Sequence, residues 1–309
     1  MPQFPFVTLD VFTERRFGGN PLAVVTDAWG LDGAAMQAIA AEFGYSESTF
    51  ILPPKDPANT AEVRIFTPTM EIGFAGHPNV GTAQVVAERI QAETGALPDR
   101  LRFEEGAGLV IVEILKAGDG TLAGTRITAP QPLMLGGEVD VETVAACIGL
   151  GAEAIRTDRH APVFASVGLK FVIAELGSLK DLAAALPDMA ASRRAQALHA
   201  EETDHFPIFL YVREESAPDA PMAIRARMFA PLDKIPEDPA TGSASGALGA
   251  LLATLDPRAD AWIEVRIRQG VEMGRESIID VAAEKRQRVV ERVTIAGRSL
   301  RVMEGFITV

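Results

Sequence analysis

Short runs in which apolar and polar residues alternate, or in which β-branched residues cluster, dominate this chain. The pattern predicts strands over Phe6–Phe12, Leu22–Val25, Thr49–Leu52, Glu62–Phe66, Leu109–Leu115, Phe171–Ala174, Phe209–Val212, Ile224–Phe229 and Trp262–Arg268. Helical spacing is rarer and predicts helices over Gly33–Glu42, Asn79–Arg89, Val141–Ile148, Leu179–Leu186 and Ser243–Leu255. Two of these, around Thr82–Ile90 and Ser245–Leu255, are apolar or small on nearly every face, the mark of a helix buried on all sides.

Those two helices belong to a sparse internal repeat. Arg64, Phe66, Pro68 and Ile72 have equals 163 positions later in Arg227, Phe229, Pro231 and Ile235, and Gly81 matches Gly246 at 165. Each copy runs into a Gly-rich helix start, Ala75-Gly76-His77-Pro78-Asn79 in one and Thr241-Gly242-Ser243-Ala244 in the other. Solenoid periods are far shorter, so the repeat indicates two related domains. The expected fold class is α+β: two pseudo-equivalent domains, each a curved, mostly antiparallel sheet wrapped around a central buried helix. Gly and Pro punctuate Lys116–Pro132, which separates a domain over 1–118 from one over 128–309. The last strand, near 300–309, is free to return to the first domain.

Composition narrows the class. With 48% hydrophobic and 23% charged residues the 309-residue chain is that of a soluble globular protein. A net charge of −13 offers no basic stripe for a phosphate backbone, so no nucleic-acid partner is expected. The basic cluster Lys285-Arg286-Gln287-Arg288 reads as a solvated turn or strand end. Cys147 is the only cysteine, so an intramolecular disulfide cannot form, and no metal is expected. His160, His199 and His205 show no ligand spacing. The first residues lack a basic region, and the most apolar run, Ala247–Leu255, is about half a membrane span, so a cytoplasmic protein without a membrane partner is expected. Gly106-Ala107-Gly108 leads no helix and is not read as a nucleotide loop.

The candidate chemistry sits at the two helix starts. Unpaired N–H groups there suit a carboxylate, and Gly76 and Gly242 let backbone approach a ligand closely. Ser243 either caps its helix or donates to a ligand. Asp238, just before, either accepts from a substrate amine or hydroxyl, orients His77, or is simply a turn residue. The plain reading of the first start is capping by Asn79 behind Pro78. Glu47, in Ser46-Glu47-Ser48-Thr49-Phe50, leads into an apolar strand, where partial desolvation would suit an acid/base.

Five ordered motifs carry a resemblance: Asp10-Val11-Phe12 with Phe17-Gly18-Gly19-Asn20-Pro21, Ser46 to Phe50, Phe74 to Pro78, Glu237 to Ala244, and Gln269 to Arg275. Together they resemble the PhzF-like isomerases of phenazine biosynthesis, whose fold is similar to diaminopimelate epimerase. The resemblance implies a homodimer and a cofactor-independent acid/base isomerase with its site between the domains. Its substrate would be a small carboxylated, amino-bearing, cyclohexadiene-like metabolite. It assigns Glu47 to catalysis and Ser46, Gly76, His77, Asp238, Gly242 and Ser243 to substrate binding. The paired cysteines of the epimerases are missing, which excludes two-cysteine racemisation. Glu276 stands where the family commonly has Pro. The rival readings are a non-catalytic metabolite-binding protein on the same fold and a non-cysteine epimerase.

Overall fold

A computed structural model describes residues 1–309, and the chain divides into two units. The first comprises Met1–Thr128 and Ala296–Val309, and the second Ala129–Ile295. The first unit therefore runs on past residue 118, because Leu122–Thr128 is a full strand rather than part of a linker. The tail rejoins this unit, where Ser299–Thr308 pairs along the whole of Gln3–Val11.

In chain order the first unit contains β1 (Gln3–Val11), β2 (Asn20–Val25), α1 (Gly33–Phe43), β3 (Glu47–Leu52), β4 (Ala61–Phe66), β5 (Glu71–Ile72), α2 (Gly76–Thr94), β6 (Arg100–Glu105), β7 (Gly108–Lys116) and β8 (Leu122–Thr128). The second holds β9 (Met134–Glu138), α3 (Val141–Cys147), β10 (Ile155–Arg156), β11 (Val163–Ser166), β12 (Lys170–Leu176), α4 (Leu179–Ala184), α5 (Met189–Leu198), β13 (Ile208–Arg213), β14 (Met222–Ala230), β15 (Ile235–Asp238), α6 (Gly242–Leu255), β16 (Ala261–Gln269) and β17 (Ser277–Arg286). β18 (Val289–Gly297) leads out of it, and β19 (Ser299–Thr308) completes the first unit.

The repeat is visible in strand direction. β2 runs parallel to β3, β3 antiparallel to β4, β4 parallel to β6, and β6 antiparallel to β7. The series β12, β13, β14, β16, β17 repeats those four relationships in the same order. The remaining pairs within each unit, such as β7 with β8 and β11 with β12, are antiparallel. Each unit is thus a mixed, mostly antiparallel sheet, and its central helix is the one expected from the sequence. α2 is buried without a break from Gly76 to Ala87, and α6 from Ala244 to Ala253.

Close approach explains the small residues on these helices. A Cβ on Gly81 would stand 2.5 Å from Leu22 Cδ2, and one on Gly249 would stand 2.5 Å from Val281 Cγ1. Both distances are below any real contact, so glycine is what lets the strands close on the helix. Separate cores lie under the outer helices: Met36, Ile39, Phe50 and Phe66 beneath α1, and Val144, Cys147, Phe164 and Leu210 beneath α3 and α5. Cys147 is core, and burial raises its thiol to about 11. No helix is long and apolar enough to cross a membrane.

An arginine cluster anchors the repeat and corrects its register. Arg64 makes two 2.7 Å bonds to Glu71 and lies 5.2 Å from the Phe66 ring; Arg227 makes two 2.8 Å bonds to Glu237 and lies 4.7 Å from the Phe229 ring. Ile65 pairs with Ile72, and the equivalent Met228 pairs with Asp238. The counterpart of Ile72 is therefore Asp238 and not Ile235. The 3₁₀ turn Pro231–Asp233 lengthens the second copy ahead of β15. Consequently the helix caps, Ala75 and Thr241, stand 166 positions apart, and Gly246 falls one residue earlier in α6 than Gly81 does in α2.

The cluster at residues 285–288 also differs from expectation. Gln287 and Arg288 form the hairpin turn, both with positive φ, but Lys285 is buried. Its Nζ donates to the carbonyls of Ala253 (2.9 Å) and Asp256 (2.7 Å) at the end of α6. A lysine at a helix C-terminus meets both orphan carbonyls and the negative end of the dipole.

Candidate active site

In the first unit the site is built where β3 meets the start of α2. Glu47 is the first residue of β3, paired with Leu22 of β2. Two residues on, and so on the same face of the strand, the Thr49 hydroxyl bonds the Thr82 hydroxyl of α2 at 2.8 Å. That face is thereby fixed against the helix. His77, the second residue of α2, places Nδ1 3.4 Å from Glu47 Oε2. Glu47 keeps 18% of its side-chain exposure and His77 only 5%. The sequence pair is thus brought together, with the carboxylate partly open and the imidazole sealed.

Burial pushes the His77 imidazole down to about 3, against an opposing interaction with the Pro21 backbone. The ring is neutral at physiological pH, so the contact with Glu47 is not an ion pair. Nε2 is buried and has no hydrogen-bond partner. A neutral imidazole donates through one nitrogen and accepts through the other, so whichever role Nδ1 plays toward Glu47, Nε2 presents the opposite one. Ser46 stands half-buried in the bend between α1 and β3.

The helix start itself is open. Ala75 occupies the N-cap in extended conformation, has no side-chain oxygen, and makes no cap bond. Pro78 is third in the helix and lacks an N–H, so the N–H groups of Gly76 and His77 are the donors without an intrahelical partner. Asn79 is not the cap. It lies one turn in, where its Nδ2 donates to the Ala75 carbonyl at 3.0 Å.

The second unit repeats this with other residues. Thr241 occupies the N-cap of α6 but leaves the helix uncapped, because its hydroxyl donates to Asp238 Oδ2 at 2.6 Å. Gly242 and Ser243 are the first two helical residues, the places of Gly76 and His77. Gln269, fully buried at the end of β16, pins the loop: Nε2 donates to the Asp238 carbonyl (2.8 Å) and Thr241 Oγ1 (2.9 Å), and Oε1 accepts from the Thr241 amide (3.0 Å). Ser277 adds a 2.7 Å bond to the Pro239 carbonyl. Asp238 is therefore a held, buried carboxylate beside an open helix start, more than a turn residue.

Sequence reasoning missed Gln269 as a structural partner and missed Glu105 altogether. Glu105 ends β6 as Gln269 ends β16, and each precedes a glycine that meets the loop ahead of the central helix. A Cβ on Gly106 would stand 2.9 Å from Gly73 Cα, and one on Gly270 would stand 2.7 Å from the Pro239 carbonyl oxygen. The signal in the sequence is a repeated Glu/Gln-Gly pair at an offset of 164, too short by itself to stand out. The other histidines are engaged locally: His160 Nε2 lies 2.8 Å from the Tyr211 hydroxyl, His199 stacks on Phe206, and His205 faces Asp233.

The comparisons bear on the family and the fold. Residues 9–305 match the family described as phenazine biosynthesis-like protein, PhzC-PhzF. The chain is 35% identical over 301 residues to an uncharacterized isomerase of Mesorhizobium japonicum, covering 97% of each chain. It is 34% identical to the trans-2,3-dihydro-3-hydroxyanthranilate isomerase of Pseudomonas aeruginosa, covering 97% of this chain and 98% of that one. The crystal structure of a Bacillus anthracis phenazine biosynthesis protein of the PhzF family superimposes with a TM-score of 0.86 at 26% identity, covering all of both chains. With a family match over residues 9–305 and relatives above 30% identity along nearly the whole chain, the chain belongs to the phenazine biosynthesis-like (PhzC-PhzF) family and is an isomerase.

Proposed function

We propose that this isomerase moves a proton within a small carboxylated, amino-bearing cyclohexadiene, with Glu47 as the single acid/base and no cofactor. The observation that carries the reading is the partly desolvated Glu47 carboxylate 3.4 Å from a buried, neutral His77 at an uncapped helix start. Glu47 takes a proton from a ring carbon, the C–H electron pair joins the diene, and the same carboxyl returns the proton at the far end. The product is an enol, which becomes a ketone. One carboxylate serves both transfers when substrate stays in place and the shift follows one face of the ring.

The binding residues follow from the two helix starts. The N–H groups at Gly76 and Gly242 suit a substrate carboxylate, and the dipole of a long buried helix favours its charge. His77 Nε2 is a buried polar atom awaiting a partner, and such an atom favours any ligand that supplies one. At the start of α6, Ser243 would offer a hydroxyl to a carboxylate and Asp238 a held carboxylate to an amine; in the first unit Ser46 borders Glu47.

The test uses trans-2,3-dihydro-3-hydroxyanthranilate, the compound named for the Pseudomonas aeruginosa relative. The native enzyme is expected to convert it in deuterated water. Glu47→Gln, nearly isosteric but unable to carry a proton, is expected to lose turnover by about 10²–10⁴-fold while still binding. Full turnover by Glu47→Gln would sink the assignment. Inversion at one carbon without migration of the double bond would identify a non-cysteine epimerase instead.

A further inference from the structure

Glu105 is a buried carboxylic acid with a definite task. Its Oε2 lies 3.3 Å from Asn79 Nδ2, and Oε1 is buried with no hydrogen-bond partner. The same Asn79 amide donates to the Ala75 carbonyl. Glu105 and Asn79 together therefore brace the N-cap residue and the turn that carries His77. Behind them, the Ala107 amide donates to the Gly73 carbonyl at 2.9 Å, fastening the β6–β7 turn to the same loop.

The second unit shows what this position requires. Gln269 stands there and braces the cap of α6 through neutral amide contacts. Oε2 accepts from Asn79 in either protonation state, but the buried Oε1 has no donor beside it, so the place suits a neutral acid better than a charge. Apart from the Asn79 amide, nothing around Glu105 favours its charge. Glu104, on the other face of β6, is held by Asn59 and the backbone of Lys55 and Asp56. On β4, Glu62 pairs with Lys55, and Arg64 is occupied by Glu71. On β7, Glu113 faces Arg100 and Arg126, and Lys116 binds Asp99. On α2, His77 is neutral and Glu88 is bound to Arg301.

Resting on the role given to His77 above, we propose that Glu105 is a positioning residue of the isomerase. In its undissociated form it holds Asn79, and with it the first turn of α2, as Gln269 holds the start of α6. Its ionisation leaves a buried charge with a single hydrogen bond, which draws the carboxylate toward water, lets that turn relax and lowers turnover. Burial, opposed by the Asn79 amide, pushes the Glu105 carboxyl up to about 8, so the acid carries its proton at neutral pH. The folded pKa is raised above the unfolded value. The stability it contributes is full below about pH 4.5 and is lost as pH rises toward about 8.

Two measurements test this on the full chain. Thermal melting of the native protein and of Glu105→Gln is compared from pH 5 to 9, which needs no substrate. The gap in melting temperature is expected to shift in favour of Gln as pH rises to about 8 and to level off above. Turnover of trans-2,3-dihydro-3-hydroxyanthranilate is then followed across the same range. The native enzyme is expected to lose kcat along an alkaline limb near pH 8. Glu105→Gln is expected to keep at least a third of native kcat at pH 7 without that limb, and folded Glu105→Leu to lose kcat tenfold or more with KM little changed. A pH-independent melting gap, or the same alkaline limb in Glu105→Gln, would overturn the proposal. If native protein turns nothing over while the melting gap behaves as described, the substrate reading fails and the state assigned to Glu105 stands.

Discussion

The Nδ1 of His77 lies 3.4 Å from Oε2 of Glu47, and burial keeps the imidazole neutral beside it. A protonated imidazole there would pair with the carboxylate and weaken it as a base. A neutral one orients the carboxyl without neutralising it, which suits a group that takes a proton and returns it.

Acid sensitivity follows from that neutrality. The folded pKa of His77 is depressed from 6.5 to about 3, so below pH 6.5 the unfolded chain binds a proton that the folded one refuses. The stability His77 contributes is present above about pH 6.5 and is lost as pH falls toward 3, at up to about 1.4 kcal/mol per pH unit. Urea unfolding of native protein and His77→Gln between pH 4 and 7 checks it. The native curve is expected to fall more steeply, and parallel curves would show that the ring charges in place.

Much of this was legible in the residues, and what was not has identifiable causes. The buried helices announced themselves because small and apolar residues on every face cannot suit a solvated helix. Glu47 and His77 could be nominated, but their meeting depends on β3 being locked to α2 through Thr49 and Thr82, a contact between residues 33 apart. α5 was missed because exposed Arg193 and Arg194 blur a face that buries only Ala191, Ser192 and Ala195. The sequence shows spacings of 163 and 165, because nothing in it marks where the extra turn before β15 enters. Asn79 looked like a cap because its residue type favours caps, yet Pro78 starts no helix here and sits third in one.

Gln269→Leu tests the brace of the second helix start. The substitution keeps the volume but leaves the buried Thr241 amide without its acceptor and the Asp238 carbonyl without its donor. Orphaned buried groups cost about 1–3 kcal/mol each, so a loss of roughly 2–6 kcal/mol is expected from chemical denaturation. A loss under about 0.5 kcal/mol, the range of ordinary surface changes, would mean the loop holds itself.

Lys285→Met separates a structural lysine from a solvated one. Methionine replaces the stem but cannot donate to the carbonyls of Ala253 and Asp256. The expected destabilisation is about 1–3 kcal/mol with an unchanged denaturant slope. Turnover should be native at temperatures where the variant is folded, since α6 is affected at the end away from Ser243.

Ala75→Ser sets helix stability against substrate binding. The residue is in the extended conformation that an N-cap requires, and a serine hydroxyl there could accept from a free N–H of the first turn. Because Pro78 has no N–H, the acceptor must take the His77 amide, which lies beside the Gly76 N–H proposed for the substrate carboxylate. A new cap is worth about 1 kcal/mol, so the melting temperature should rise by a few degrees. The same bond should raise KM several-fold with kcat little changed, because the competition is with ground-state binding and not with the proton transfer. A stabilised variant with native KM would show that this helix start binds no substrate.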